Sequence, residues 1–474
     1  MRNIYKSCLQ VLMVILTLAI GSCRKFVSVP APATVVVTSS IFTNDATATS
    51  AQTAIYTKMQ NLVDLASLSQ VCGLLADELT NCSSSSRQVE YYSNSMQSKT
   101  VPQPWEDAYN YIYRANAVIS GLQNYSGVSS AAKQQLTGEA EFTRAFWNFY
   151  LTNCYGSIPL LTSTDYATNA TAVRSSASQA YRQIITDLAD AESLLNPNYV
   201  DATDSVITTE RVRPTKWAAA ALLARTYLYN GIYDSAEQQS TLVISNQSNL
   251  YELCQNLDSV FLENNTEAIW QIPPVQPASN LATPEGIMFV LKTSPYVSGV
   301  NNSTTISPQL MNSFETGDLR KSQWINVYKS SGGTSYYYPY KYKVFQSTSL
   351  VEYTVVLRLA EQYLIRAEAR AQQGNTSGAV ADLNVIRNRA GLPSYSGPTD
   401  QPNLLNAILH ERQVELFTEL GHRWFDLNRT ATINSVMSLV TPSKSGSWST
   451  DWELFPIPFF DLNADPKLVQ NPGY

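Results

Sequence analysis

The sequence predicts a mainly α-helical fold, a scaffold of packed helix pairs that carries one irregular, loop-rich insertion. Three observations lead to it. Trp105, Tyr109, Ile112, Asn116 and Ile119 recur at helical spacing and mark one buried face. Two distant stretches, Ala224 to Gly231 and Ala367 to Gly374, each place an alanine five residues after their glycine, at Ala236 and Ala379. Between about Ile272 and Tyr353 helical periodicity fails, and Pro273, Pro274, Pro277, Pro284, Pro295 and Pro308 punctuate the chain.

Taken in order, the chain begins with Arg2 and Lys6, an uncharged, mostly apolar run from Leu9 to Ile20, and then small residues. That order describes a secretory signal over residues 1–22. A run of about a dozen residues is short of the roughly 20 needed to span a bilayer. Ile20-Gly21-Ser22-Cys23 resembles the bacterial lipobox, so Cys23 is the expected lipid anchor. Several acyl chains, at about 0.8 kcal/mol per buried methylene, hold a protein at a membrane essentially permanently. Residues 23–43, with Pro30, Pro32 and Val35-Val36-Val37, read as a tether.

Helical spacing begins at Asn44 and runs to about Leu79. A long loop rich in Ser, Gln, Asn and Tyr is expected from Ser83 to Pro104. The Trp105 helix should end near Gly121 and pack antiparallel to the next, whose stripe is Phe142, Ala145, Phe146 and Phe149. Helices follow over Ala177 to Leu195, over Trp217 to Tyr229, and from Tyr233 onward. Val355 to Gln373 and Ser377 to Ala390 form a comparable later pair. Small residues after the interhelical glycines let paired helices approach closely, which is the grammar of tetratricopeptide-like units, here with atypical spacing. The expected division is a helical part over residues 44–271, an irregular segment over 272–353 with one helix around Ser307 to Glu315, and a closing part over 354–474.

Composition narrows the function. A net charge of −6 argues against nucleic acid, because phosphate binding needs concentrated Lys and Arg. Only 15% of residues are charged, and a surface rich in Ser, Thr, Asn, Gln and Tyr suits neutral hydrogen-bonding ligands. Beyond Cys23 the cysteines are Cys72, Cys82, Cys154 and Cys254, too scattered for a disulfide scaffold. Cys72 and Cys82 could close a loop or remain buried thiols. The two histidines, His410 and His422, lie among charged neighbours and are not expected to share a metal, and no cofactor is called for. The sequence has no GxSxG elbow, no HExxH and no phosphate-cradling glycine loop. Glycoside hydrolysis needs two opposed carboxylates, and Asp77 with Glu78 are adjacent on a helix and point apart.

Glu411, Arg412, Glu415, Glu419, Arg423, Asp426 and Arg429 alternate with Leu416, Phe417, Trp424, Phe425 and Leu427. Charges interleaved with core aromatics are expected to form satisfied ion pairs between helices, since a buried charge without a partner is costly. The same holds for Arg144, Arg358, Glu361, Arg366 and Glu368.

These segments carry a resemblance. Gly138-Glu139-Ala140 through Tyr155-Gly156-Ser157-Ile158-Pro159-Leu160, the alanine-rich Ala219 to Gly231, Leu357-Arg358-Leu359-Ala360-Glu361, Glu411-Arg412 with Glu415-Leu416, Arg423-Trp424-Phe425-Asp426-Leu427, and Phe455-Pro456-Ile457-Pro458 with Gln470-Asn471-Pro472-Gly473-Tyr474 appear in the order found in the SusD-like (RagB/SusD) family. The resemblance implies tetratricopeptide-like helix pairs facing a SusC-like TonB-dependent transporter, with irregular elements forming an outward ligand surface. It further implies a non-catalytic lipoprotein on the exterior of the outer membrane, capturing oligosaccharides, or peptides as some members of the family do. A glycoside hydrolase and a surface adhesin are the readings from other classes.

The family motifs are structural, so the ligand residues rest on chemistry. Sugar rings present apolar C–H faces ringed by hydroxyls, which suits exposed aromatic rings beside amide and guanidinium donors. Two segments offer these: Arg87, Tyr91, Tyr92 and Asn94 in the first loop, and Tyr296, Trp324, Tyr336, Tyr337 and Tyr338 in the irregular segment. Trp105 is assigned to the core by its helical phase.

Overall fold

Helices dominate the computed structural model, which describes residues 38–60, 65–100, 104–246, 250–275, 279–296 and 302–474. The signal segment and Cys23 lie outside the described residues. Asn44 accepts a hydrogen bond from the Thr47 amide and opens helix α1 (Asp45–Met59), ahead of α2 (Leu65–Leu75) and strand β1 (Leu79–Asn81). The expected Ser83 to Pro104 loop contains a helix, α3 (Ser86–Tyr92). Its sequence has too few turns to show periodicity, and packing against α2 and β1 stabilises it instead.

α4 (Trp105–Asn124) packs against α5 (Ser130–Tyr155), a long and largely buried helix. A short β2 (Ile158–Pro159) and β3 (Arg174–Ser175) pair around α6 (Tyr166–Asn169). α7 (Ala177–Leu194) starts at a reciprocal Ser176–Gln179 capping box and packs on α5. α8 (Lys216–Tyr229) and α9 (Tyr233–Ile244) make the first compared pair; β4 (Ala268–Ile272) follows.

In the irregular segment lie α10 (Pro284–Phe289), β5 (Thr304–Ile306), α11 (Pro308–Ser313), α12 (Leu319–Gln323), and the hairpin of β6 (Ile325–Lys329) and β7 (Ser335–Pro339). β8 (Thr354–Arg358) occupies the first residues of what periodicity marks as helix from Val355, because their backbone pairs with β4. Helix α13 (Leu359–Gln372) therefore starts only at Leu359, and α14 (Thr376–Arg389) completes the second pair. α15 (Gln401–Leu416), α16 (His422–Arg429), α17 (Ile433–Val440) and α18 (Phe459–Ala464) close the fold.

Gly231 and Gly374 turn the corners of the two pairs with φ of 73° and 80°, a left-handed conformation that glycine adopts without a Cβ penalty. Ala236 and Ala379 are fully buried between the paired helices, and α9 packs on α13, so the two pairs stack. The core centres on α5, where Phe142 and Phe146 meet the Trp270 ring of β4 edge-on at 5.1 and 5.6 Å.

The alternating charges are ion pairs that tie the chain's three parts together. Arg320 contacts Asp318 (2.8 Å), Glu411 (2.6 Å) and Glu415 (3.0 Å). Arg358 contacts Glu267 (2.9 Å), Glu415 (2.5 Å) and Glu419 (2.7 Å). Arg389 joins Glu267 to Glu415, and Lys341 meets Glu419 at 2.5 Å. Elsewhere Arg225 and Glu361 join α8 to α13 at 2.6 Å, and Arg144 meets Asp187 at 2.7 Å. Cys72, Cys82, Cys154 and Cys254 are all free, buried thiols.

Candidate ligand surface

Backbone pairing brings the first loop to the irregular segment. β1 runs antiparallel to β5, the Cys82 amide donates to the Ser303 carbonyl at 2.8 Å, and Ser303 Oγ donates to Gln88 on α3 at 2.8 Å. β5 in turn lies against β7. Residues more than two hundred positions apart in sequence thus form one surface.

Aromatic rings collect there. Tyr296, 64% exposed, meets Tyr336 edge-on at 6.0 Å, and Tyr336 stacks on Tyr328 at 6.4 Å. The Tyr296 hydroxyl lies beside the Cys82 thiol, and this neighbour pushes its phenol up to about 12. Tyr92, half-buried, interacts with Thr80 and Cys82 of the same corner. Beneath it Lys444 holds its ammonium 5.4 Å from the Tyr92 ring and donates to the carbonyls of Leu74, Leu75 and Ala76 at the end of α2. Burial pushes that lysine down to about 7. Arg87 is exposed on α3, and no ion pair holds it among the described residues.

Strand alternation divides the three consecutive tyrosines. Tyr336 lies opposite Tyr328, and Tyr338 opposite Asn326, on the face packed over Val290 and Leu291. Tyr337 lies opposite Val327 on the other face, 48% exposed. It is therefore turned away from Tyr296 and Tyr336.

Four expected contacts are corrected by burial. Trp324 is 0% exposed; its indole donates to the Leu257 carbonyl at 3.0 Å and its ring packs on Phe261 and under Lys341. Tyr91 is buried with its hydroxyl on the Thr100 carbonyl, because helix α3 turns it inward. Asn94 spends its amide on the Leu75 carbonyl and on the Thr441 hydroxyl. Tyr338 is a core residue of the hairpin. Tyr92, Tyr296 and Tyr336 come together, with Arg87 on the flanking helix. Tyr328 went unnoticed in the sequence; pairing two strands across Gly332-Gly333 would have set it opposite Tyr336.

No cluster of His, Cys, Asp and Glu among the described residues could hold a metal ion. No described helix is long and apolar enough to cross a membrane.

Comparison with known proteins places these features. The model of the SusD family matches residues 326–474, and a second, described as starch-binding associating with outer membrane, matches residues 39–228. SusD-like protein P38 of Formosa agariphila is 26% identical over 426 residues, covering 78% of this chain and 79% of the relative. The starch-binding protein SusD of Bacteroides thetaiotaomicron is 29% identical over 164 residues, covering 34% of this chain and 26% of its own length. Among solved structures, a laminarin-binding SusD-like protein has a TM-score of 0.75 at 25% identity, over 91% of this chain and all of the other. A SusD homologue from Bacteroides thetaiotaomicron has a TM-score of 0.77 at 19% identity, over 92% and 98% of the two chains, and shares the fold.

Proposed function

The chain belongs to the SusD family, and from that premise we propose that it is a non-catalytic, lipid-anchored protein of the outer-membrane exterior that captures oligosaccharides and passes them to a SusC-like TonB-dependent transporter. Residues 1–22 are its signal, Cys23 its anchor and 23–43 its tether. Residues 44–271 and 354–474 build the scaffold, and 272–353 supply most of the ligand surface.

The observation that carries the reading is the convergence of Tyr92, Tyr296 and Tyr336 on one exposed corner, with Arg87 exposed on the same helix as Tyr92. Rings of this kind take the apolar face of a pyranose, and a free guanidinium donates to its hydroxyls. The starch- and laminarin-binding relatives support a glucan as the first ligand to test.

Calorimetry of residues 24–474 against laminarin, starch and a wider polysaccharide panel tests it. Binding without turnover is expected, and Tyr296→Ala should weaken it about tenfold or more, as loss of a central aromatic anchor does. Tyr337→Ala, on the opposite face of the hairpin, should change affinity less than twofold, about 0.4 kcal/mol. A panel that yields no glycan ligand, with binding of oligopeptides instead, would move the cargo to peptides. Turnover of a bound glycan would make the protein a hydrolase.

The anchor is tested separately. Metabolic palmitate label should enter the wild-type chain and be absent from Cys23→Ala, which should also fail to co-purify a barrel transporter from membranes.

A further inference from the structure

A second concave surface lies apart from the Tyr296 corner, where the start of α4, the β2–β3 connection and α18 meet. Its cleft of about 350 Å³ is within the range of small-ligand sites. Trp105 and Tyr109 form its floor and Tyr166 its rim; Glu106, Asp461 and Asp465 are its carboxylates. Across Tyr166 opens a neighbouring cleft of about 540 Å³, lined by Ser120, Gln123, Thr162, Ser163, Thr164 and the carboxylate-bearing Asp165. Tyr166 stands between the two, 85% exposed.

The chemistry of the first cleft is one-sided. Asp461 is about half-buried, and burial pushes its carboxyl up, opposed by a hydrogen bond with the Trp105 side chain. No ion pair joins it to a cation among the described residues. Neither cleft-lining set that includes Tyr166 contains a lysine or arginine. A partly desolvated carboxylate with unused acceptor capacity calls for neutral donors, and charge-assisted hydrogen bonds from hydroxyls are among the stronger ones available to it. The three carboxylates repel uronate and sulfate.

We propose that these paired clefts form a second glycan subsite for uncharged pyranose units, with Tyr166 stacking on a sugar face and Asp461 accepting from adjacent hydroxyls. This rests on the reading of the protein as a glycan binder and adds a second point of attachment to it. Two attached points on one polymer raise the effective concentration at each, so the subsite favours long chains over short ones.

Affinity electrophoresis of the full chain in detergent, through gels containing laminarin or starch, tests this with wild type, Tyr296→Ala, Tyr166→Ala, Asp461→Asn and the Tyr296→Ala/Tyr166→Ala double variant. Tyr166 is almost wholly exposed, so its truncation leaves the fold intact. Tyr166→Ala and Asp461→Asn should each weaken retardation about two- to tenfold. Tyr296→Ala should retain a residual retardation that the double variant loses. Wild-type retardation of Tyr166→Ala, together with complete loss in Tyr296→Ala, would overturn the second subsite and leave the first reading standing. Absence of retardation in the wild type on both glucans and on the wider polysaccharide panel would overturn both together.

Discussion

Arg358→Ala is expected to destabilise the protein by about 3–5 kcal/mol, the usual cost of removing one partner from a buried ionic cluster. Arg358 is 2% exposed and touches Glu267, Glu415 and Glu419, so the contacts join three separated stretches of sequence, around residues 267, 358 and 415–419. Burial alone would drive Glu415 toward its neutral form, but Arg389, Arg358 and Arg320 overcome it and hold the carboxyl well below the usual range. That stability is present above the ordinary carboxylate range and is lost as pH falls through the depressed value. Urea unfolding at neutral pH should show a lower midpoint for Arg358→Ala. A midpoint within error of wild type would mean that the cluster only specifies geometry.

Glu78→Gln should change the pH dependence of stability by several kcal/mol. Glu78 is buried in the turn between α2 and β1; among the described residues its Oε2 accepts only the Thr418 amide, at 3.2 Å, and its Oε1 has no partner. Burial raises its carboxyl from the ordinary 4.5 to about 8, with Asp77 adding to the rise and Arg423 and Lys341 opposing it. Between those two values the folded protein keeps a proton that the unfolded chain has released. Stability is therefore full below the ordinary value and is lost as pH rises through the folded one, at about 1.4 kcal/mol per unit. A glutamine cannot ionise, so the variant should gain on wild type from mildly acid to mildly alkaline pH. Lys444 slopes the other way: its folded value of about 7 lies below the ordinary 10.5, so stability rises between them. The difference between wild type and Glu78→Gln cancels that contribution. Parallel curves of unfolding midpoint against pH would show that Glu78 is ionised in the folded state.

Much of the scaffold was legible because its signals are local. The stripe on α4 and the paired Gly231–Ala236 and Gly374–Ala379 spacings act within a few turns of helix. Helix α3 and strand β8 were not legible. Each is short: α3 takes its conformation from packing against α2 and β1, and β8 from pairing with β4, which lies more than eighty residues before it. The candidate surface divided along the same line. Composition pointed to two segments that the structure brings together, yet Trp324 and Tyr337 cannot be separated by residue type, and one is sealed in the core while the other faces outward.

Residue order alone established the helix-pair architecture, the resemblance to the SusD family and the expectation that alternating Arg and Glu would pair, because helical phase and motif order survive without coordinates. Which tyrosines share a surface was decided by tertiary structure. The β1–β5 pairing joins the α3 loop to the Tyr296 segment, and strand alternation in the β6–β7 hairpin sends Tyr336 and Tyr337 to opposite faces. Cross-strand partners and burial depend on chain segments far apart in sequence, and no local pattern encodes where those segments meet.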